Sequence, residues 1–210
     1  MYRTILFDLD GTLTESGIGI TRSVAYALRK HGIEETDQKK LDRFVGPPLI
    51  GAFMEFYGFS YPQAVQAVAD YREYYAVKGI FENRVYDGVI PMLQKLQEAG
   101  KRCVLATSKP EHHAVQILAY FGLAPYFDVV AGATMDETRT NKAEVIAYAL
   151  QQTGALNALM VGDREHDIRG AKANGLDSVG VLYGYGSREE LEAAGATYLA
   201  TTAEDILKFV

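Results

Sequence analysis

Two aspartates, Asp8 and Asp10, follow the apolar run Ile5-Leu6-Phe7 and are followed at once by Gly11 and Thr12. Such a run reads as a buried strand, and in an open α/β sheet ligands bind at the carboxyl edge of the strands. Carboxylates two residues apart at that edge can divide labour, one attacking an electrophile while the other moves protons. Asp and Gly also make ordinary solvated turns. The pair gains its meaning from what the other strand ends carry.

Three further apolar runs end in matching chemistry. Val104-Leu105-Ala106 is followed by Thr107 and Ser108, and Leu159-Met160-Val161 by Gly162 and Asp163, with Asp167 four residues on. Lys142 opens a helical pattern after Val129-Val130-Ala131. Each has a plain structural explanation: hydroxyls cap helices, most lysines are solvated, and carboxylates suit the first turn of a helix. In a parallel sheet, however, all of these positions fall on one edge, and four separate coincidences there are a poor account of the set.

The elements needed to put them there are legible. Strand-like runs occur at about 3–8, 102–107, 127–131, 157–162, 178–183 and 197–200. Helical patterns fit between or after them at about 88–99, 111–121, 141–153, 166–174, 188–194 and 203–209. Ser187 with Glu190 reads as a capping box for one of these helices. The alternation predicts a parallel sheet covered by helices on both faces. Residues 16–82 break the rhythm: they carry only helical patterns, interrupted near Gly32 and at Gly46-Pro47-Pro48. Val65, Val68, Tyr71 and Tyr75 recur there at helical spacing and read as the core of a small bundle. We therefore expect two domains, a sheet domain from 1–15 and 83–210 and an inserted all-helical cap from 16–82.

Composition narrows the function. A formal net charge of −6 argues against a nucleic-acid partner, which needs a basic face. No run approaches the length of a membrane span, and Asp8 and Asp10 interrupt the N-terminal apolar stretch that an export signal would need. Cys103 is the only cysteine, so no disulfide can form within the chain. A cytoplasmic location is the expectation. Nothing in the sequence fixes an oligomeric state, monomer or homodimer.

The four motifs, in order, resemble those of the haloacid dehalogenase superfamily of hydrolases. They are Asp8-Leu9-Asp10-Gly11-Thr12, then Thr107, then Lys142, then Gly162-Asp163-Arg164-Glu165-His166-Asp167. The likeness runs along essentially the whole chain and is to the phosphoglycolate phosphatase-like branch, with a helical cap inserted after the first strand. It implies a Rossmann-like core and phosphoryl transfer, with Asp8 as nucleophile and Asp10 as acid and base. It also implies Mg²⁺ held by Asp8, the Asp10 carbonyl and Asp163, with Asp167 behind them. Gly11, Thr107, Ser108 and Lys142 would bind the phosphoryl group, Gly11 and Ser108 through their backbone N–H groups. In the cap, Arg43 and Gly46 match the relatives' substrate-facing loop. Arg164 stands where many relatives have a small hydroxyl residue.

A carboxylate at the second position favours phosphate esters over the superfamily's carbon–halogen and phosphonate substrates. The resemblance thus implies a small phosphorylated metabolite, a phosphoglycolate-like ester or a nucleoside 5′-monophosphate. Pyrophosphate and sugar phosphates (the latter for a phosphatase or a mutase) are the alternatives. A catalytically silent scaffold of the same fold would have no need of the whole set.

Overall fold

The computed structural model describes residues 2–134 and 138–210. Among them are six strands, β1 (Thr4–Phe7), β2 (Arg102–Pro110), β3 (Val129–Ala133), β4 (Ala158–Gly162), β5 (Asp177–Val181) and β6 (Tyr198–Ala200). All pair in parallel, in the order β3-β2-β1-β4-β5-β6. The first strand is central and the order reverses on either side of it, which is the topology that opens a crevice at the strands' carboxyl ends.

The helices that follow β1 are α1 (Gly17–Lys30), α2 (Gln38–Asp42), α3 (Leu49–Tyr57) and α4 (Tyr61–Tyr75). After them come α5 (Val89–Glu98), α6 (Glu111–Tyr120), α7 (Lys142–Thr153), α8 (Glu165–Ala173) and α9 (Arg188–Ala194). Two compact units result: Met1–Thr14 with Val85–Val210, and Glu15–Arg84.

In the sheet unit, β1 is buried along its whole length, as a central strand covered on both faces must be. Leu6, Val104, Ala106 and Met160 form one side of a core completed by Val145, Ile146 and Ala149 of α7. On β1, Phe7 pairs with Leu105 of β2 and Val161 of β4. The residues after Phe7, Leu105 and Val161 therefore emerge together.

The helical unit has its own core. Phe44 packs against Phe53 with ring centroids 4.9 Å apart, and Tyr71 stacks on Tyr75 at 5.2 Å. Asp70 is buried, 2.5 Å from Lys30 Nζ and 3.1 Å from His31 Nε2, which ties the end of α1 to α4. The expected apolar stripe of α4 needs one correction. Val68, Tyr71 and Tyr75 are buried, but Val65 is exposed and Ala64 takes the inward place. Steps of three and four residues stay on one face, and 64, 67, 68, 71 and 75 make the narrower stripe.

Candidate active site at the strand edge

The chemistry begins with Asp8. Its backbone N–H continues the ladder to Val161 O (2.9 Å), so its position is set by the sheet and its side chain is almost wholly buried. Asp163, one residue beyond β4, is completely buried. Its Oδ2 accepts the Tyr185 N–H at 2.8 Å, and its Oδ1 lies 3.4 Å from the Thr12 hydroxyl. Asp167 stands in the first turn of α8, where its Oδ2 accepts the Arg164 N–H at 3.0 Å. One oxygen from each of Asp8, Asp163 and Asp167 falls within 4.8 Å of the others.

Lys142 supplies the cation. Asn141 caps α7 through the Glu144 N–H (3.0 Å), and the Glu144 carboxylate returns to the Asn141 N–H (3.3 Å). This reciprocal cap fixes where the helix starts, and therefore where Lys142 is. Its buried Nζ sits 2.7 Å from Asp8 Oδ1 and 2.8 Å from Asp167 Oδ1, and donates to Ala106 O at 3.1 Å. Burial opposes its charge, but the Asp167 and Asp8 carboxylates outweigh that and raise its pKa above the ordinary lysine value. Asp163 is the reverse case. Burial first, then Asp167 and Asp8, push its pKa well above the carboxylate range. Asp167 is raised by burial, with Lys142 pulling against it.

Backbone room is needed to bring so much together. Gly11 has φ of +83°, and a Cβ there would lie 2.1 Å from Asp163 Oδ2. A Cβ on Gly184 would fall 2.4 Å from both Asp163 Cβ and Gly11 O. The stretch after β5 thus wraps Asp163 at a distance only glycine permits. The Gly11 N–H, expected to face a phosphoryl group, instead donates to Thr14 O at 2.8 Å. In this conformation Gly11 contributes close approach rather than a free donor.

Asp10 ends with Oδ2 at 2.8 Å from Lys109 Nζ, while its Oδ1 is buried and accepts no hydrogen bond. Thr107 is buried and its hydroxyl oxygen accepts the Lys109 N–H at 3.2 Å, with Ser108 half-buried beside it. Asp8, Asp10, Gly11, Asp163, Asp167 and Lys142 are thus gathered at one sheet edge, and Thr107 and Ser108 lie in the carboxyl-terminal half of the neighbouring strand β2. Arg43 and Gly46 belong to the helical unit. The exposed Arg43 guanidinium stacks on the Phe56 ring at 3.8 Å, and Gly46 has φ of +105°.

Sequence reasoning missed Lys109 and Glu190. Ser187 Oγ accepts the Glu190 N–H at 3.1 Å, but the expected capping box is only half made. The Glu190 carboxylate turns instead to Arg164 Nε (2.8 Å) and the Glu165 N–H (2.9 Å). Arg164 offers a charge-assisted partner that the helix's own backbone cannot match. The unusual Arg164 is thereby explained: it ties the segment after β4 to α9.

The donor set suits a hard divalent cation. The three clustered carboxylates present only oxygen, and their combined charge exceeds that of the one lysine among them.

These features define a hydrolase of known type. The chain belongs to the haloacid dehalogenase-like hydrolase family, whose model matches residues 5–181. It is 46% identical over 199 residues to a 5′-nucleotidase of Pseudomonas aeruginosa, covering 94% of this chain and 90% of that one. It is 39% identical over 201 residues to the tyrosine-protein kinase PtkA of Mycobacterium tuberculosis, covering 95% and 68%. Among solved structures, a predicted phosphatase from Clostridium acetobutylicum superimposes with a TM-score of 0.96 at 46% identity, covering 100% and 98% of the two chains. Among the described residues no helix is long and apolar enough to cross a membrane.

Proposed function

We propose that this protein is a Mg²⁺-dependent phosphatase of small phosphate monoesters that works through a phosphorylated Asp8. One observation carries the reading: three buried carboxylates cluster within 4.8 Å of one another, and the ammonium beside them pairs with only two, Asp8 and Asp167, which leaves an excess of negative charge that a divalent cation would balance. Asp8, the Asp10 carbonyl and Asp163 would hold the ion, with Asp167 behind them. Bound there, Mg²⁺ would supply the positive charge that lets a carboxylate approach a phosphate dianion.

An aspartate is ionised at neutral pH and needs no base to attack. Asp8 Oδ attacks phosphorus as the ester P–O bond breaks, and Asp10, taking up a proton as the phosphate dianion enters beside it, gives that proton to the leaving oxygen. Water then attacks the aspartyl phosphate, passing a proton to Asp10 and releasing Asp8 and inorganic phosphate. Lys142, Thr107 and Ser108 would bind the transferring oxygens, so catalysis rests mainly on positioning and charge.

We assign substrate choice to the helical unit as a cap, with Arg43 and Gly46 as its candidate residues. The 46% identity with a 5′-nucleotidase favours nucleoside 5′-monophosphates over phosphoglycolate. The test is a panel of nucleoside monophosphates, phosphoglycolate, pyrophosphate and sugar phosphates compared by kcat/KM in Mg²⁺, beside Asp8→Asn. Turnover that vanishes in a folded Asp8→Asn variant supports the reading, and absence of hydrolysis of every ester refutes it. The 39% identity with a tyrosine-protein kinase supports a second reading, in which a tyrosine hydroxyl replaces water as acceptor. Phosphotyrosine formed on incubation with ATP, absent in Asp8→Asn, would favour it.

A further inference from the structure

Strand β2 is irregular where it matters. Val104, Leu105 and Ala106 pair with Val129, Val130 and Ala131, but the ladder then resumes at Pro110 opposite Ala133. Four steps along β2 are matched by two along β3, so Thr107, Ser108 and Lys109 form a bulge. Bulges beside active sites re-aim side chains. Gly132 makes room for this one, since a Cβ there would lie 2.8 Å from Lys109 O.

The result is a buried ion pair. Lys109 Nζ lies 2.8 Å from Asp10 Oδ2, with the two side chains 6% and 12% exposed. Pairs of this kind contribute little net stability, because desolvation offsets the Coulomb attraction, so stability alone is a weak reason to build one here. Geometry offers a better one. A carboxylate rotates freely about its last torsion unless something holds it. Lys109 holds Oδ2, and Oδ1, buried and without a hydrogen-bond partner, then keeps a fixed direction.

Resting on the phosphatase reading above, we propose that Lys109 is a positioning residue for Asp10. It tethers the carboxyl group at Oδ2 and so fixes the orientation in which Asp10 meets the leaving oxygen of the ester. In the first step the P–O(ester) bond breaks, the Asp8–phosphorus bond forms, and the Asp10 proton moves to the departing alkoxide. A misdirected Asp10 harms that transfer only where the leaving group needs a proton.

The experiment compares wild type, Lys109→Met and Lys109→Arg on an alkyl phosphate and on p-nitrophenyl phosphate, whose phenolate departs unprotonated. The first phosphoryl transfer is read in single turnovers with enzyme in excess. Lys109→Met should slow the alkyl ester about 100-fold, the scale of a misplaced proton-transfer group. The aryl ester should change no more than about three-fold, with KM for both esters held, and Lys109→Arg should recover most of the alkyl rate. Equal slowing of both esters, or of neither, overturns the proposal. Should Lys109→Met not fold, the same ratio of rates in Lys109→Gln and Lys109→Arg decides. If wild type cleaves neither ester, the phosphatase reading fails and this proposal with it. If wild type cleaves both and the ratio stays fixed, the proposal alone fails.

Discussion

Replacing Asp163 by Asn should make the metal-free protein more stable while disabling it. Asp163 is completely buried, and no ammonium or guanidinium forms an ion pair with it among the described residues. Its charge faces Asp8 and Asp167 at no more than 4.8 Å. At an effective dielectric constant near 20, each such like-charge pair costs at least about 3.5 kcal/mol when both members are ionised. Lys142 offsets part of this through its two partners. Asp163 avoids much of the remainder by keeping its proton, because burial and then the Asp167 and Asp8 charges raise its pKa well above the ordinary range. What persists at neutral pH is roughly 1–3 kcal/mol, or about 2–12 °C in Tm for a chain of this size. An Asn oxygen can still accept the Tyr185 N–H now bonded to Oδ2, so packing should survive.

The sign with pH follows from the direction of that shift. A carboxyl with a folded pKa above its unfolded value binds more protons in the folded state between the two. Stability therefore falls as pH rises through that window. Scanning calorimetry in EDTA should show Asp163→Asn gaining more over wild type at about pH 8 than at about pH 5. Added Mg²⁺ should reverse the ranking, since a ligand at 100 times its Kd stabilises by about 2.7 kcal/mol and the variant has lost a ligand. If Asp163→Asn in EDTA at about pH 8 melts at or below wild type, the electrostatic account of this cluster is wrong.

Other expectations are simpler to check. Gly184→Ala would push a methyl group against Asp163 Cβ and Gly11 O; we expect Mg²⁺ affinity by titration calorimetry to fall about 10–100-fold, the usual effect of disturbing a ligand's support. The Cys103 thiol, pushed up to about 12 chiefly by burial, should react with a disulfide reagent at neutral pH only after denaturation. In the helical unit, burial pushes the Asp70 pKa up, but hydrogen bonds from Lys30, Gln66 and His31 hold it below the ordinary value. The stability this gives is present above the unfolded carboxylate pKa and lost as pH falls through the lowered one. Asp70→Asn should flatten the acid limb of a circular-dichroism titration, and an unchanged limb would dismiss the pair.

How much of this could be read from the chain alone is uneven, for physical reasons. The strands were legible because a parallel sheet covered on both faces demands short uninterrupted apolar runs, and Ile5-Leu6-Phe7 and Leu159-Met160-Val161 are such runs. Their parallel pairing then forces Asp8 and Asp163 onto one edge. Cys103, Val104 and Leu105 were equally plain, yet the bulge that follows them was not. Nothing in Thr107-Ser108-Lys109 announces that the ladder with β3 loses step, since the cause lies partly in Gly132 on the neighbouring strand. Alternation in twos would have placed Thr107 and Lys109 on one face as ordinary strand residues.

Glu190 shows the same limit from another side. Local spacing assigned its carboxylate to the start of its own helix, and a capping box is a correct local solution. Arg164, twenty-six positions earlier, competes for it with a full charge, and a window of four residues cannot contain that competitor. Local rules found the groups whose positions the sheet dictates. They missed the two whose roles depend on a partner brought in by tertiary structure. Both misses hold site-bearing segments in place, Lys109 at Asp10 and Glu190 beside Asp163 and Asp167, so the support of this site is harder to read from sequence than its chemistry.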